Sequence, residues 1–330
     1  MARFKYMRSG PRVSGAVILM YHRIANAETD PWSICVSPKN FADQLEALRR
    51  NRRIISLRQL VSDLQEHRLS PDMAAITFDD GYSDNFHIAA PLLERFSIPA
   101  TFFLATGYIG RREFWWDELE RLVLGATNLR VGMLRERLPL RLDGADAEKW
   151  PSLSGIMHDA WQYLRGLRKP NRLNLLFAIW RHLQPLPEFE RRRALDELAT
   201  ILRASQSQDN YAHRPMEPAE AKSLAQLGWV EIGAHTVNHL MMSRQPLTSQ
   251  YDEIVSSRLE CEELAGHAPA GFAYPYGDMD ADTAGLVKRA GFKYACSTIF
   301  GAVTPETNPF ALPRVAVHNW SGRQLIRALT

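Results

Sequence analysis

Apolar and polar positions along the chain switch repeatedly between short buried runs and helical spacing. Residues 16–21 are an apolar, β-branched run and read as a first strand, with His22 at its end. Ser37-Pro38 then predicts an N-cap followed by proline at the first helical position, and Phe41, Leu45 and Leu48 mark the buried face of that helix. Residues 53–56 predict a short second strand, and Leu57, Leu60, Val61 and Leu64 an amphipathic helix. The run from Met73 to Phe78 is a third strand that ends in Asp79-Asp80-Gly81. Ile88, Leu92, Leu93 and Phe96 mark a helix begun or kinked near Pro91, and residues 101–106 are a fourth strand.

The alternation stops at about residues 111–210, which carry helical spacing and no convincing strand. This stretch reads as a helical insertion. Its run Arg191-Arg192-Arg193 reads as a solvated helix face. Trp115-Trp116 opens it, either as core or, with Trp116 the candidate, as a stacking platform for a sugar ring. Strands resume at residues 229–234, ending at His235; at 270–274, ending at Pro275-Tyr276-Gly277; at 294–298; and at 312–317, ending at His318. Helices fall between them, and a last one is expected around Leu325 and Leu329. Seven or eight short strands alternating with helices imply an α/β parallel barrel. His22, Asp79-Asp80, His235, Pro275-Tyr276 and His318 all fall at strand ends, where such a barrel gathers its chemistry.

Composition narrows the class without changing this picture. With 330 residues, 45% hydrophobic and 23% charged, the chain has the balance of a soluble globular protein. A net charge of +3 gives little reason to expect a nucleic-acid partner. Residues 1–15 are basic and read as a flexible leader, with a weak peripheral contact to anionic lipid as the alternative. No signal peptide and no transmembrane segment are apparent. Three widely spaced cysteines argue against a disulfide framework and for a reducing, cytoplasmic setting.

The strand-end residues carry the chemistry. Adjacent strand residues point to opposite sides, so Asp79 and Asp80 can take different partners. One can hold a metal while the other accepts a proton. His235 and His239, four apart, can share one face of a turn and reach one ion. With a strand-end carboxylate they form a two-histidine, one-carboxylate site suited to Zn²⁺, and also to Fe²⁺, Co²⁺ or Ni²⁺. Such a site supports metal-assisted hydrolysis.

Three motifs in order, Thr77-Phe78-Asp79-Asp80-Gly81-Tyr82, His235-Thr236-Val237-Asn238-His239 and Tyr274-Pro275-Tyr276-Gly277, resemble the NodB-homology polysaccharide deacetylases, carbohydrate esterase family 4. The resemblance covers about residues 13–110 and 215–320, with the insertion outside it. It implies a distorted (β/α)7 barrel in a single domain at 16–330, interrupted at about 111–210. It also implies metal-dependent removal of N-acetyl groups from an amino-sugar glycan, oligosaccharide or glycolipid. Carried over by position, Asp79 is the general base, Asp80, His235 and His239 are metal ligands, the Tyr276 N–H faces the oxyanion, and Pro275 shapes that turn.

Two departures stand out. Many members have an arginine just before the Pro-Tyr-Gly turn, where this chain has Ala273. Arg314 on the last strand is expected to supply that charge within salt-bridge reach of Asp79, an ordinary exposed arginine being the alternative. His318 is the candidate general acid, followed by Asn319 where many relatives have aspartate. His22 is a candidate to line the pocket, with a structural histidine as the alternative. The competing functions are hydrolysis of a cyclic amide or ureide on the same barrel, and glycan binding without catalysis.

Overall fold

Short parallel strands, buried along nearly their whole length, carry the fold. The structure, a computed structural model, describes residues 15–111, 113–125, 171–202 and 214–329. The leader, apart from Gly15, and the middle of the insertion lie outside the described residues. In chain order the strands are β1 (Val17–Tyr21), β2 (Arg23–Ile24), β3 (Cys35–Val36), β4 (Arg53–Ile54), β5 (Met73–Phe78), β6 (Ala100–Leu104), β7 (Val230–Ala234), β8 (Gly271–Ala273), β9 (Tyr294–Cys296) and β10 (Val315–Ala316). The helices are α1 (Pro38–Asn51), α2 (Leu57–Gln65), α3 (Ala90–Phe96), α4 (Trp115–Leu124), α5 (Arg172–Leu183), α6 (Glu188–Leu202), α7 (Pro218–Ala225), α8 (Leu247–Ala265), α9 (Ala281–Arg289) and α10 (Gly322–Ala328). Among the described residues, no helix is long and apolar enough to cross a membrane.

The main sheet runs β10-β1-β5-β6-β7-β8-β9, with β4 also paired to β5, and its pairs are parallel. β4 takes the first residues of β5 and β6 takes the last three. Parallel strands covered on both faces need continuous apolar runs, and β1, β5 and β6 are buried throughout. One strand parity, with Ile76, Phe78 and Phe102, packs against the apolar faces of α1, α3 and α7 to α10. The other parity, with Ala75, Phe103 and Tyr294, forms a second core with α2. The result is a distorted (β/α)7 barrel.

Local chemistry fixes the ends. Ser37 Oγ accepts from the Asn40 N–H at 3.2 Å and Pro38 opens α1, as its sequence predicts. Phe41, Leu45 and Leu48 are fully buried, each worth roughly 1.5–3 kcal/mol of transfer free energy. The last strand departs from expectation. Residues 312–317 do not form one continuous strand, because Pro313 has no N–H to give the ladder. Leu312 bridges Cys296 of β9, and Val315–Ala316 pairs with β1 beyond the break. The short pair β2–β3 has no counterpart in the sequence reading.

The chain divides into two compact units, Met1–Gly110 with Pro215–Thr330, and Arg111–Arg214. In the second unit the described residues form α4, α5 and α6, as the helical spacing predicts. The arginine run there is not a uniform solvated face. Arg191 is fully buried, its guanidinium 4.9 Å from the Trp115 ring centre and 2.7 Å from Glu188. Arg192 Nη2 bonds Glu118 at 2.7 Å, while Arg193 remains half-exposed. Stepping the run around a helix puts successive arginines on different faces, and the first lands inside.

Candidate active site

β5 delivers the two carboxylates to different surroundings. Thr77 and Asp79 continue the parity of Ala75, so Asp79 points to the same side as Thr77. Asp80 would point away from it on a regular strand, but its φ of 75° breaks the alternation. Left-handed backbone is costly for a residue with a Cβ, typically 1–3 kcal/mol, and recurs where function demands it. Gly81 follows at φ 94°, where a Cβ would also stand 3.0 Å from Leu104 Cδ2. The turn is closed from outside by Met216, whose N–H donates to the Gly81 carbonyl at 3.0 Å.

Asp79 and Arg314 form a buried two-pronged pair. Arg314 Nη1 donates to Asp79 Oδ1 and Nη2 to Oδ2, each at 2.7 Å. Arg314 Nε donates to the Ser297 carbonyl at 2.9 Å, and Nη1 also reaches Thr77 Oγ1 at 3.2 Å. Both residues are almost fully buried, so the alternative of an exposed arginine is set aside. Burial pushes the Asp79 carboxyl pKa up, but Arg314, helped by His235, more than offsets this and holds it below the usual carboxylate value. The charge thus reaches Asp79 from β10 rather than from the Ala273 position.

Asp80, His235 and His239 meet in a second cluster. Each offers one ligand atom, and the three atoms lie within 4.8 Å of one another. Asp80 Oδ1 is 3.2 Å from His239 Nε2 and 3.5 Å from His235 Nε2. His235 Nδ1 lies 2.7 Å from the Ala273 carbonyl. A carbonyl accepts, so Nδ1 carries the proton and Nε2 presents a lone pair to the centre. Asp80 Oδ1 is buried without a hydrogen bond of ordinary geometry. With Nε2 unprotonated, two acceptors face each other out of water, an arrangement that suits a cation between them. Ligand atoms about 2.1 Å from one ion at tetrahedral angles stand about 3.4 Å apart, close to the two distances from Asp80 to the histidines. The residues therefore fit a divalent cation.

Of the remaining candidates, Tyr276 touches His239 and His22 acts on both aspartates. Tyr276 has φ 60° and ψ 2°, and its ring meets His239 edge-on at 4.5 Å. Gly277, φ 71°, follows it, and a Cβ there would stand 2.0 Å from Thr298 Oγ1. Pro275 is buried at the start of the turn. His22 contributes to lowering the pKa of both Asp79 and Asp80, which places it in their electrostatic neighbourhood. Its carbonyl accepts from Asn85 Nδ2 at 2.8 Å. The partly buried His318 packs edge-on against Trp320 at 4.9 Å. Asn319 is engaged elsewhere, its Oδ1 accepting from the Ser37 N–H at 3.0 Å and from Asn40 Nδ2 at 2.7 Å. The Asn319 side chain thus supports the start of α1.

Trp116 is a correction. Its ring is 6% exposed and stacked on Phe114 at 4.7 Å, with Trp115 edge-on at 5.8 Å. A ring covered in this way packs the insertion's core and leaves no face for a sugar. Trp116→Ala is expected to cost about 3–5 kcal/mol of stability. A lower melting temperature with KM ratios between long and short substrates unchanged is the expected outcome; a selective rise in KM for the longer one would restore the platform.

Three residues, Arg23, Asp84 and Glu253, have no counterpart in the sequence analysis. Arg23 Nε donates to Asp84 Oδ2 at 3.1 Å, and Asp84 Oδ1 accepts from the Ile24 N–H at 3.0 Å, tying β2 to the turn after β5. Burial raises the Asp84 pKa despite Arg23. Glu253 on α8 accepts from the loop between the two histidines. The signal for Arg23 is its place next to His22, and for Asp84 its place four residues after Asp80; a helical Glu253 carries none.

The comparisons agree with this geometry. The sequence profile described as polysaccharide deacetylase matches residues 66–126 and 199–295. Over those two stretches the chain is similar to the polysaccharide deacetylase family. It is 21% identical to the poly-beta-1,6-N-acetyl-D-glucosamine N-deacetylase of Staphylococcus aureus, over 95% of this chain and 82% of the relative. Among solved structures it resembles IcaB from Ammonifex degensii, with a TM-score of 0.59 and 18% identity over 97% of this chain and 99% of the other. The Streptococcus pyogenes deacetylase PplD also gives a TM-score of 0.59, at 16% identity over 96% and 99% of the two chains.

Proposed function

We propose that this protein hydrolyses the N-acetyl amide of an amino-sugar glycan, with a divalent cation at Asp80, His235 and His239. The observation that carries the reading is the pairing of two neighbouring carboxylates with different partners: Asp79 on Arg314, Asp80 on the two histidines. The relatives named for N-acetylglucosamine polymers favour a substrate of that class. A cation there supplies a Lewis acid for the amide carbonyl and lowers the pKa of water. A carboxylate has about four lone-pair sites, and Arg314 uses two, so ionised Asp79 keeps capacity to take the proton of the attacking water. Water oxygen bonds to the acetamide carbon, and the Tyr276 N–H is assigned to the oxyanion. The carbon–nitrogen bond then breaks, acetate leaves, and the amine takes a proton, a step assigned to His318. His22 and Pro275 are assigned to the pocket wall. The ligand set suits Zn²⁺, with Co²⁺, Ni²⁺ and Fe²⁺ as alternatives. Three buried free cysteines favour a reducing compartment, and we place the enzyme in the cytoplasm.

The test is mass spectrometry of N-acetylglucosamine oligomers and glycolipids after incubation with the purified protein. Loss of an acetyl group is expected, and intact substrate throughout the screen opposes the reading. His235→Ala or His239→Ala is expected to abolish stoichiometric metal and activity while leaving the fold. Full metal occupancy in purified His235→Ala protein would show that the ligands are assigned wrongly.

A further inference from the structure

We propose that Glu253 is a positioning residue that sets the cation affinity of the centre by fixing the loop between its two histidines. The inference rests on reading Asp80, His235 and His239 as a metal site. Glu253 Oε2 accepts from the N–H of Val237 at 2.9 Å and of Asn238 at 2.8 Å, and Oε1 accepts from Asn238 Nδ2 at 2.7 Å. Three donors converge on one buried carboxylate, sent from α8. Charge-assisted bonds of this kind are about twice as strong as neutral ones.

Two consecutive amides aimed at one acceptor require a curled backbone. Thr236 at φ 64° and His239 at φ 51° bracket that curl. Histidine tolerates the left-handed region better than most residues, but β-branched Thr236 resists it. The loop therefore needs holding from outside. On its carbonyl side the Thr106 and Gly107 N–H groups donate to Thr236 and Val237 at 3.1 and 2.9 Å. A Cβ on Gly107 would stand 2.7 Å from Val237 Cγ1, so this approach depends on glycine. On the N–H side the holder is Glu253.

The two histidines depend on this clamp unequally. His235 is anchored by β7, its own N–H donating to Leu104 at 2.9 Å, and by the Ala273 carbonyl. His239 lies beyond the curl, so its Nε2 position follows the loop. Releasing the amides would move His239 away from Asp80 while His235 stays.

The test measures Zn²⁺ affinity on the full chain by competition with a chromophoric chelator, beside the melting temperature of the metal-free protein. Glu253→Ala and Glu253→Asp, which withdraws the carboxylate by one methylene, are expected to weaken Zn²⁺ binding about 10–100-fold, the usual effect of losing a partner behind a ligand. Glu253→Gln keeps the reach and one carbonyl acceptor, and is expected to restore most of the affinity. Activity of the weakened variants should recover as Zn²⁺ is raised. If Glu253→Ala does not fold, the Asp and Gln pair carries the comparison. Affinities unchanged in every folded variant, whatever happens to the melting temperature, would reduce Glu253 to a structural role and overturn the proposal. A wild-type protein whose Zn²⁺ binding is unaffected by His235→Ala would instead remove the metal reading beneath it.

Discussion

Asp79→Asn is expected to lower kcat by at least ~10²-fold while the divalent cation stays bound. The substitution keeps the shape of the side chain and one carbonyl oxygen, but removes the proton acceptor. The cation is held by Asp80, His235 and His239, none of which changes. The variant also leaves the buried Arg314 guanidinium facing an amide NH2 group. Removing one partner of a buried ion pair costs on the order of 3–5 kcal/mol. Rates should therefore be compared well below the variant's melting temperature, with metal content measured on the same sample. Near-normal turnover would show that another group deprotonates the water.

The second large effect is expected at Arg314. Burial alone would raise the Asp79 pKa, and Arg314 is the first of the groups that bring it down. The base works ionised, so activity falls as pH drops through the Asp79 pKa. Arg314→Ala removes the lowering contribution and should move the acidic limb of the kcat/KM profile to higher pH, with a lower plateau. Stability follows the same sign. In the wild type the folded Asp79 pKa lies below its unfolded value of about 3.9, so its contribution is full above that value. It is lost as pH falls through the folded value. Without Arg314 the buried carboxylate becomes a liability that grows as pH rises. Arg314→Lys should restore part of each effect, because an ammonium cannot reproduce two parallel bonds at 2.7 Å. An unmoved acidic limb in Arg314→Ala would mean that the pair does not tune the base.

Much of the site was legible because a parallel barrel exports its chemistry to strand ends. The apolar runs of β1, β5 and β7 stop just before a polar residue, His22, Asp79 and His235 in turn. Arg314 could be placed because a missing charge next to Asp79 had to come from a nearby strand. What was not legible is backbone conformation at residues other than glycine. Nothing in the letters marks Asp80, Thr236, His239 and Tyr276 as left-handed, since that strain is imposed by the packed surroundings. Glu253 was hidden for a related reason: its role is defined by which amides it meets across the fold. Trp116 stays open between core and platform in the sequence, and Arg191 reads as solvated, because aromatic and charged residues in a helical insertion look alike whether they face solvent or its core. Pro313 was a visible signal for the break in the last strand, and the physics of its missing N–H explains the outcome.

The most direct measurement is free-amine formation on a defined N-acetylglucosamine oligomer by one protein preparation, assayed as purified, after chelation, and after return of one equivalent of Zn²⁺. Amine release that disappears on chelation and returns with the single equivalent is the expected result. Undiminished release by the metal-free protein would contradict a reaction centred on Asp80, His235 and His239.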